Sequence, residues 1–194
     1  MDILEKDLED IIFEADLGDL YDRGLDALLD YANNVRQLRI GNYGIADIVQ
    51  WKYGIDYREI FNGEEFVYDK YVFIEVNVIE LKKDLVNSDT FLQAIGYLKG
   101  INEAIKLYFR KRKLDYEIHN NITLIGKSVD TNSSFIFLTD FINESEKFSL
   151  NIYTYKIKIN GLEFKKESRY FIREHGNLDI KSMSYKSSIE KKCE

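Results

Sequence analysis

One uninterrupted apolar stretch, residues 72–82, places the strongest constraint on the fold of this chain. Its sequence is Val-Phe-Ile-Glu-Val-Asn-Val-Ile-Glu-Leu-Lys, rich in β-branched residues and free of Gly and Pro, which predicts a strand. Because side chains alternate between the two faces of a strand, four apolar residues on one face are followed by Glu80 and Lys82. Burying isolated charges costs free energy. The pattern therefore predicts a polar site where the strand leaves the core.

The composition is that of one globular domain. The chain has 194 residues, of which 45% are hydrophobic, enough to bury one core. Its single cysteine, Cys193, excludes an internal disulfide and a cysteine zinc cluster. No apolar run approaches the roughly 20 residues of a membrane helix, and residues 1–7 lack the apolar core of a signal peptide. We therefore expect an intracellular protein without a membrane partner.

Apolar periodicity predicts a single domain over residues 1–173, with a core over about 1–130 and an extension over about 131–173. From residue 174 the chain is rich in Lys, Ser and Glu, which predicts a mobile tail over 174–194. The first predicted elements are helix 2–15 capped by Asp2, helix 19–32, and strands 35–40 and 45–53 joined by turn 41–44. A hairpin or loop insertion at the sheet edge follows over 54–70, with a turn at Asn62-Gly63, and then strand 72–82. Helix 88–109, capped by Ser88 or Asp89, has the inward positions Phe91, Ile95, Leu98, Ile101 and Ile105, and strand 122–127 comes after it. Residues 133–142 fit a helix or a strand, and apolar residues at helical spacing favour a short helix; strands 150–159 and 162–171 are joined at Asn160-Gly161.

The charge pattern limits the classes of partner. A formal net charge of −7 argues against a polyanion-binding surface over the whole protein, although it is compatible with a local groove or a metal site that bridges to phosphate. Residues 106–113 contain five basic side chains at the end of a predicted helix. The helix dipole favours cations there, and a phosphate-binding patch is the alternative interpretation.

Several polar residues lie at positions where chemistry is plausible. Asp47 shares its strand face with apolar neighbours, so it is either an acid that hydrogen-bonds loop amides or a metal ligand. Gln93 and Tyr97 are four residues apart on one helix face, as are Glu5 and Glu9 on the first helix. Isolated His119 and His175 have no partner at metal spacing, and no glycine-rich phosphate loop is present.

The order of these elements and motifs resembles the PD-(D/E)XK nuclease superfamily. Its core is a helix, three antiparallel strands, a helix and a strand, with an acid on the second strand and an acid-any-Lys triplet on the third. Asp47 and the triplet Glu80-Leu81-Lys82 match this motif, with Ala46 in place of the usual proline. The resemblance covers residues 1–130. Similar triplets at 163–165, 179–181 and 190–192 lack this context.

The resemblance implies a fold and a role for each site residue. The fold would be an α/β (α+β type), restriction-endonuclease-like mixed sheet flanked by helices, with a C-terminal β-hairpin extension. Mg²⁺ or Mn²⁺ would be held by Asp47 and Glu80, helped by the backbone carbonyl of Leu81. Lys82 would orient or deprotonate the attacking water and stabilise charge. Glu9, with Glu5 as the second choice, would hold a second metal or a metal-bound water. Gln93 would form a hydrogen bond near the metal. Tyr97 would contact the substrate backbone or position a neighbouring residue.

The resulting hypothesis is a metal-dependent nuclease acting on DNA, with RNA left open as substrate. Its expected location is the cytoplasm, or the host cytoplasm or virion if a phage encodes it. The alternatives are a catalytically inactive structural or assembly module, in which Glu80 and Lys82 form an ion pair, and a nucleic-acid-binding accessory domain. Because many members of this superfamily dimerise, the resemblance also implies a homodimer or larger assembly, with residues 54–70 or 153–171 as the interface.

Overall fold

The structure is a computed structural model that describes residues 3–30, 32–63, 65–132, 135–136, 138–139, 148–159 and 161–167. Its helices are α1 (Glu5–Glu14), α2 (Leu17–Asp22) and α3 (Ser88–Arg112), with a 3₁₀ turn at Gly41–Tyr43. Its strands are β1 (Asn33–Arg39), β2 (Ile45–Phe61), β3 (Phe66–Leu81), β4 (Leu85–Val86), β5 (Tyr116–Gly126), β6 (Ser128–Val129), β7 (Phe148–Lys158) and β8 (Gly161–Lys166). No helix in these ranges is long and apolar enough to cross a membrane.

Six strands form one mixed sheet in the order β1-β2-β3-β5-β7-β8. The pairs β1–β2, β2–β3 and β7–β8 are antiparallel, whereas β5 lies parallel to β3 and β7 lies parallel to β5. The chain passes from β3 to β5 through α3, the crossover that parallel neighbours require. The expected mixed α/β sheet flanked by helices is confirmed, and the hairpin predicted as an extension belongs to this same sheet.

The two faces of β3 belong to two different cores, as the alternation along residues 72–82 predicts. Ile74, Val76 and Val78 pack in the core that includes α3. Ile79 and Leu81 pack in the other core, with apolar residues of α1 and α2. The predicted inward positions of α3 are also confirmed: they are Phe91, Ile95, Leu98, Ile101 and Ile105. Asn87 caps this helix by accepting the amide of Thr90.

The helix predicted over residues 19–32 is wrong beyond Asp22. Gly24 adopts a left-handed conformation (φ +92°), which ends the helix. The following residues run under the sheet, where Leu25 and Leu29 remain buried. A buried polar ladder holds them, because Leu29 donates its N–H to Gln50 and Asn77 donates to the carbonyl of Ala27. In this segment the backbone groups of Ala27 and Leu29 therefore bond to side chains of the sheet instead of forming helical hydrogen bonds.

The insertion predicted at the sheet edge, residues 54–70, is also wrong in its position. These residues continue β2 and β3, which are interior strands, and their pairing runs without a break to Phe61 opposite Phe66. The turn falls at Asn62-Gly63 as expected. The pairing of β1 with β2 ends at Trp51, and the pairing of β5 with β3 begins at Val72. Among the described strands, residues 52–61 therefore pair only with β3 and residues 66–71 only with β2, so residues 52–71 form a projecting hairpin, here called the hairpin arm.

Smaller differences concern the element ends. The first helix starts at Glu5, where Asp7 accepts the N–H of Leu4, and the predicted cap Asp2 lies outside the described residues. Strand β5 begins six residues before the predicted start at residue 122. The described part of 133–142 is helical, which agrees with the predicted short helix. The turn residue Asn160, residues 168–171 and the tail 174–194 are not described.

A pair of glycine substitutions tests how the turn after α2 is held. An alanine Cβ at Gly24 would lie 2.3 Å from the backbone carbonyl oxygen of Phe164, whereas one at Gly63, also at positive φ, would meet nothing within 4 Å. We expect Gly63→Ala to cost about 1–2 kcal/mol from backbone strain, and Gly24→Ala about 3 kcal/mol or more because β8 must move as well. Urea denaturation of both variants measures this; equal losses would contradict the contact with β8.

Candidate active site

The carboxylates of Asp47 and Glu80 come together where β2 begins and β3 ends. Antiparallel pairing of Ile48 with Ile79 places Asp47 opposite Glu80. The Oδ2 atom of Asp47 accepts the main-chain N–H of Leu81 at 2.8 Å. This bond fixes the Asp47 carboxylate at the C-terminal end of β3, so the two acids and the peptide of Leu81 form one cluster.

Glu80 is almost completely buried, with 1% of its surface exposed. Its Oε1 atom accepts a hydrogen bond from Lys82 Nζ at 2.8 Å. Its Oε2 atom is buried and has no hydrogen-bond partner among the described residues. A buried carboxylate oxygen without a partner is costly, so it requires either a proton or a ligand.

Burial also changes the acidity of both carboxyl groups. Desolvation, followed by repulsion from Asp47, raises the pKa of Glu80 to about 7, although Lys82 opposes this shift. Desolvation likewise raises the pKa of Asp47, against the hydrogen bond from Leu81. The Glu80 carboxyl therefore holds its negative charge weakly at neutral pH, and a cation beside the two acids would be bound favourably.

Lys82 remains a cation in this environment. Burial alone would lower its pKa, but the contacts with Glu80, Glu5 and Asp47 outweigh burial and raise it. Its Nζ atom lies 2.8 Å from Glu80 Oε1 and 3.5 Å from a carboxylate oxygen of Glu5. Of the predicted roles, orienting water and stabilising negative charge fit this state, whereas removing a proton from water does not.

Helix α1 brings both of its candidate acids to the cluster. Glu9 is 7% exposed and accepts a hydrogen bond from Gln37 Nε2 at 2.5 Å. Glu5 is nearer the surface and contacts Lys82. Both carboxylates raise the pKa of Asp47 by repulsion, so both lie within electrostatic range of it.

Gln37 is a site residue that the sequence did not predict. It is a non-glycine residue at φ +52° within β1, where its neighbours Arg36 and Leu38 keep the antiparallel pairing with β2. This register places Gln37 opposite Asp47. Left-handed conformations cost free energy and are commoner at functional sites. The conformation directs the Gln37 amide to Glu9, but a single glutamine in a strand offers no sequence signal for it.

Gln93 and Tyr97 flank the cluster from α3. The amide of Gln93 donates to the hydroxyl of Tyr97 at 2.6 Å. The Tyr97 ring is only 2% exposed and packs against Gly44. Burial raises the pKa of Tyr97, and the charges of Glu80 and Asp47 raise it further, so the hydroxyl lies near the acids. This burial favours positioning of Gln93 over direct substrate contact.

The basic run 106–113 lies at the other end of α3. Thirteen residues separate Tyr97 from Arg110, a rise of roughly 20 Å along the helix axis. Arg112 stacks over the Tyr108 ring at 3.5 Å, an intrahelical cation–π contact. These cations are therefore not part of the carboxylate cluster.

The residues present fit a hard divalent cation. Mg²⁺ accepts one or two protein carboxylates together with water, and Asp47 with the unpartnered Glu80 Oε2 provides such a pair beside the peptide of Leu81. Over the described ranges no group of three or more His, Cys, Asp or Glu side chains is arranged to hold a metal. Water or substrate oxygens would therefore supply the remaining ligands.

No protein-family model, curated protein or solved structure matches this chain. The interpretation of the site consequently depends on its geometry and electrostatics.

Replacing Glu80 by glutamine tests the buried charge through its effect on stability. At pH 4 both the folded and unfolded carboxyls are protonated, so the substitution changes the pH-dependent free energy little. As pH rises past 4.5 the unfolded carboxyl ionises first, and the folded form loses stability until pH exceeds about 7. In EDTA we therefore expect Glu80→Gln to be more stable than wild type at pH 8, by a margin on the order of 3 kcal/mol larger than at pH 4. Thermal denaturation at the two pH values measures this; a margin independent of pH would contradict the raised pKa.

Proposed function

We propose that the protein is a metal-dependent nuclease of the PD-(D/E)XK type that hydrolyses phosphodiester bonds, with DNA as the expected substrate and RNA left open. The observation that best supports this is the buried, unpartnered Oε2 atom of Glu80 beside the carboxylate of Asp47. A strand that serves only to fill a core does not need a buried acid, a second, half-buried acid opposite it and a lysine at its end. We place the activity in the cytoplasm, or in the host cytoplasm or virion for a phage-encoded protein.

The order of elements supports a restriction-endonuclease-like fold. The helices α1 and α2 precede three antiparallel strands, a long helix follows, and the next main strand lies parallel to β3. The acids lie at the carboxyl end of β3 beside the parallel strand β5, and ligands in open α/β sheets bind at such ends. The cluster therefore lies at the kind of strand end where such sheets commonly bind ligands.

Each residue has a role consistent with its environment. Asp47 and Glu80 would hold the Mg²⁺ or Mn²⁺ ion, which supplies positive charge to the phosphate and polarises its oxygen. Lys82, kept protonated by its acidic neighbours, stabilises the charge that develops on the phosphate. Glu9, fixed by Gln37, and Glu5 offer further oxygen atoms for bound water.

A catalytically inactive structural module is the second candidate. Two observations favour it: Lys82 already pairs with Glu80, and the described residues show no three-ligand metal group. In that case the ion pair between Lys82 and Glu80 would only stabilise the end of β3. A nucleic-acid-binding accessory domain has less support, because the basic run lies far from the cluster and the net charge is −7.

Calorimetric titration of Mn²⁺ or Mg²⁺ distinguishes these candidates. We expect one binding event in wild type and at least about tenfold weaker binding in Glu80→Gln and Asp47→Asn, because each removes one anionic ligand. At pH 7 binding should also release protons, since the Glu80 carboxyl must ionise; titration in two buffers with different ionisation enthalpies measures this. The control is Glu163→Gln, in the similar triplet on β8. Equal binding by all variants would refute the assigned ligands.

A cleavage assay on plasmid and single-stranded DNA, with an RNA of matched length, tests the reaction itself. We expect Asp47→Asn and Lys82→Ala to lower the rate by about 10²-fold or more while the circular dichroism spectrum of the folded protein is retained, because each removes charge stabilisation in the transition state. Glu163→Gln should cleave at the wild-type rate. Metal binding without cleavage by wild type would favour the structural module.

A further inference from the structure

The hairpin arm has two chemically different faces. On one face Arg58 pairs with Asp69 at 2.6 Å and Lys52 pairs with Glu75 at 2.9 Å. The other face is apolar and aromatic. Its most exposed large side chains, each 57–73% exposed, are Tyr53, Ile55, Tyr57, Phe61, Phe66 and Tyr68. An isolated two-stranded hairpin is only marginally stable in water, so an uncovered aromatic face indicates a partner.

This aromatic face continues into a groove between the sheet and the second half of α3. The groove has a volume of about 1420 Å³, and its walls include Trp51, Ile55 and Val72 from the sheet and Ile105 and Tyr108 from the helix. Small-molecule pockets usually measure about 300–1,000 Å³. The size and the continuity with the arm favour a protein surface as the occupant.

The exposed area matches that of a stable protein interface. A large aromatic side chain buries about 150–250 Å², so the six exposed side chains of the arm present on the order of 700 Å². A standard interface buries about 800 Å² on each partner, and the groove adds to the area of the arm.

Charge distribution favours a second copy of the same chain. Residues 55–70 contain five acidic and two basic side chains, whereas residues 106–113, beside the groove, contain five basic and no acidic ones. One continuous surface therefore has both an acidic projection and a concave region next to a basic helix end. A two-fold axis requires such a self-complementary surface.

We propose that two copies of the chain associate through this surface, with the arm of each copy lying in the groove of the other. The acidic arm of one copy then approaches the basic end of α3 in its partner. The interface lies at the opposite end of β3 from the carboxylates. The association is thus independent of the proposed nuclease activity and leaves both sites open.

Sedimentation equilibrium of the full chain tests the association with a matched pair of variants. Ile55 and Ile60 belong to the same strand, and alternation places them on opposite faces of the arm. We expect wild type to be a dimer with micromolar or tighter affinity. Ile55→Lys should weaken association at least about 30-fold, as expected for a central interface residue, whereas Ile60→Lys should leave it unchanged. Circular dichroism and the thermal midpoint check that both variants fold.

Three results would overturn the proposal. A wild-type protein that is monomeric at about 100 μM would exclude an interface of this area. A dimer that survives Ile55→Lys would place the interface elsewhere. Resistance of Tyr53 and Tyr57 to chemical iodination in a monomer would mean that another segment of the same chain covers this face.

A charge-reversal pair tests the orientation. Lys111→Glu and Lys6→Glu change the net charge equally, but Lys111 adjoins Arg112, which lines the groove, whereas Lys6 lies on α1, which packs on the other face of the sheet. Weaker association of Lys111→Glu alone would support the pairing of the arm with α3, and equal effects would refute it.

Discussion

The antiparallel pairing of β2 with β3 is the interaction on which the other parts of this structure depend. It runs from Ile48 opposite Ile79 to Phe61 opposite Phe66. One end of this ladder apposes Asp47 and Glu80, and the other end forms the hairpin arm. A shift of one residue in register would move the apolar side chains of β3 to the wrong faces and separate the two acids at the same time. Burial of both cores therefore also fixes the geometry of the candidate site.

Buried polar groups in the sheet occur in two arrangements, which differ in whether their hydrogen bonds are satisfied. In the middle of the sheet, Gln50, Asn77 and Thr123 are buried but satisfied, because Asn77 donates to Gln50 and accepts from Thr123. At the end of β3 one oxygen of the Glu80 carboxylate accepts a hydrogen bond from Lys82, and the other has no partner in the part of the chain that the structure describes. The first arrangement stabilises one strand register, whereas the second leaves interaction energy available to a ligand. The contrast within one strand supports a functional origin for the second arrangement.

Local patterns in the sequence predicted the parts of the fold that depend on local preferences. The alternation along residues 72–82 and the inward face of α3 were correct because side-chain periodicity determines both, whereas the cap predicted at Ser88 or Asp89 is Asn87. The extent of α2 was missed because Gln50 and Asn77, far away in sequence, supply the hydrogen bonds of Leu29 and Ala27. The roles of Asp47, Glu80 and Lys82 stay predictions, although their proximity is now explicit. Gln37 was missed because its conformation depends on neighbouring strands.

The turn after α2 joins the two ends of the described chain. Phe164 donates its N–H to the carbonyl of Arg23 at 2.7 Å, and Asp26 contacts both Tyr153 and Lys166, the latter about 140 residues away in sequence. Contacts of such long separation form late, because closing a long loop costs entropy before any contact repays it. During synthesis the N-terminal residues must therefore wait for β8 to emerge from the ribosome. This turn is translated early, yet it completes its contacts only after the last described strand has formed.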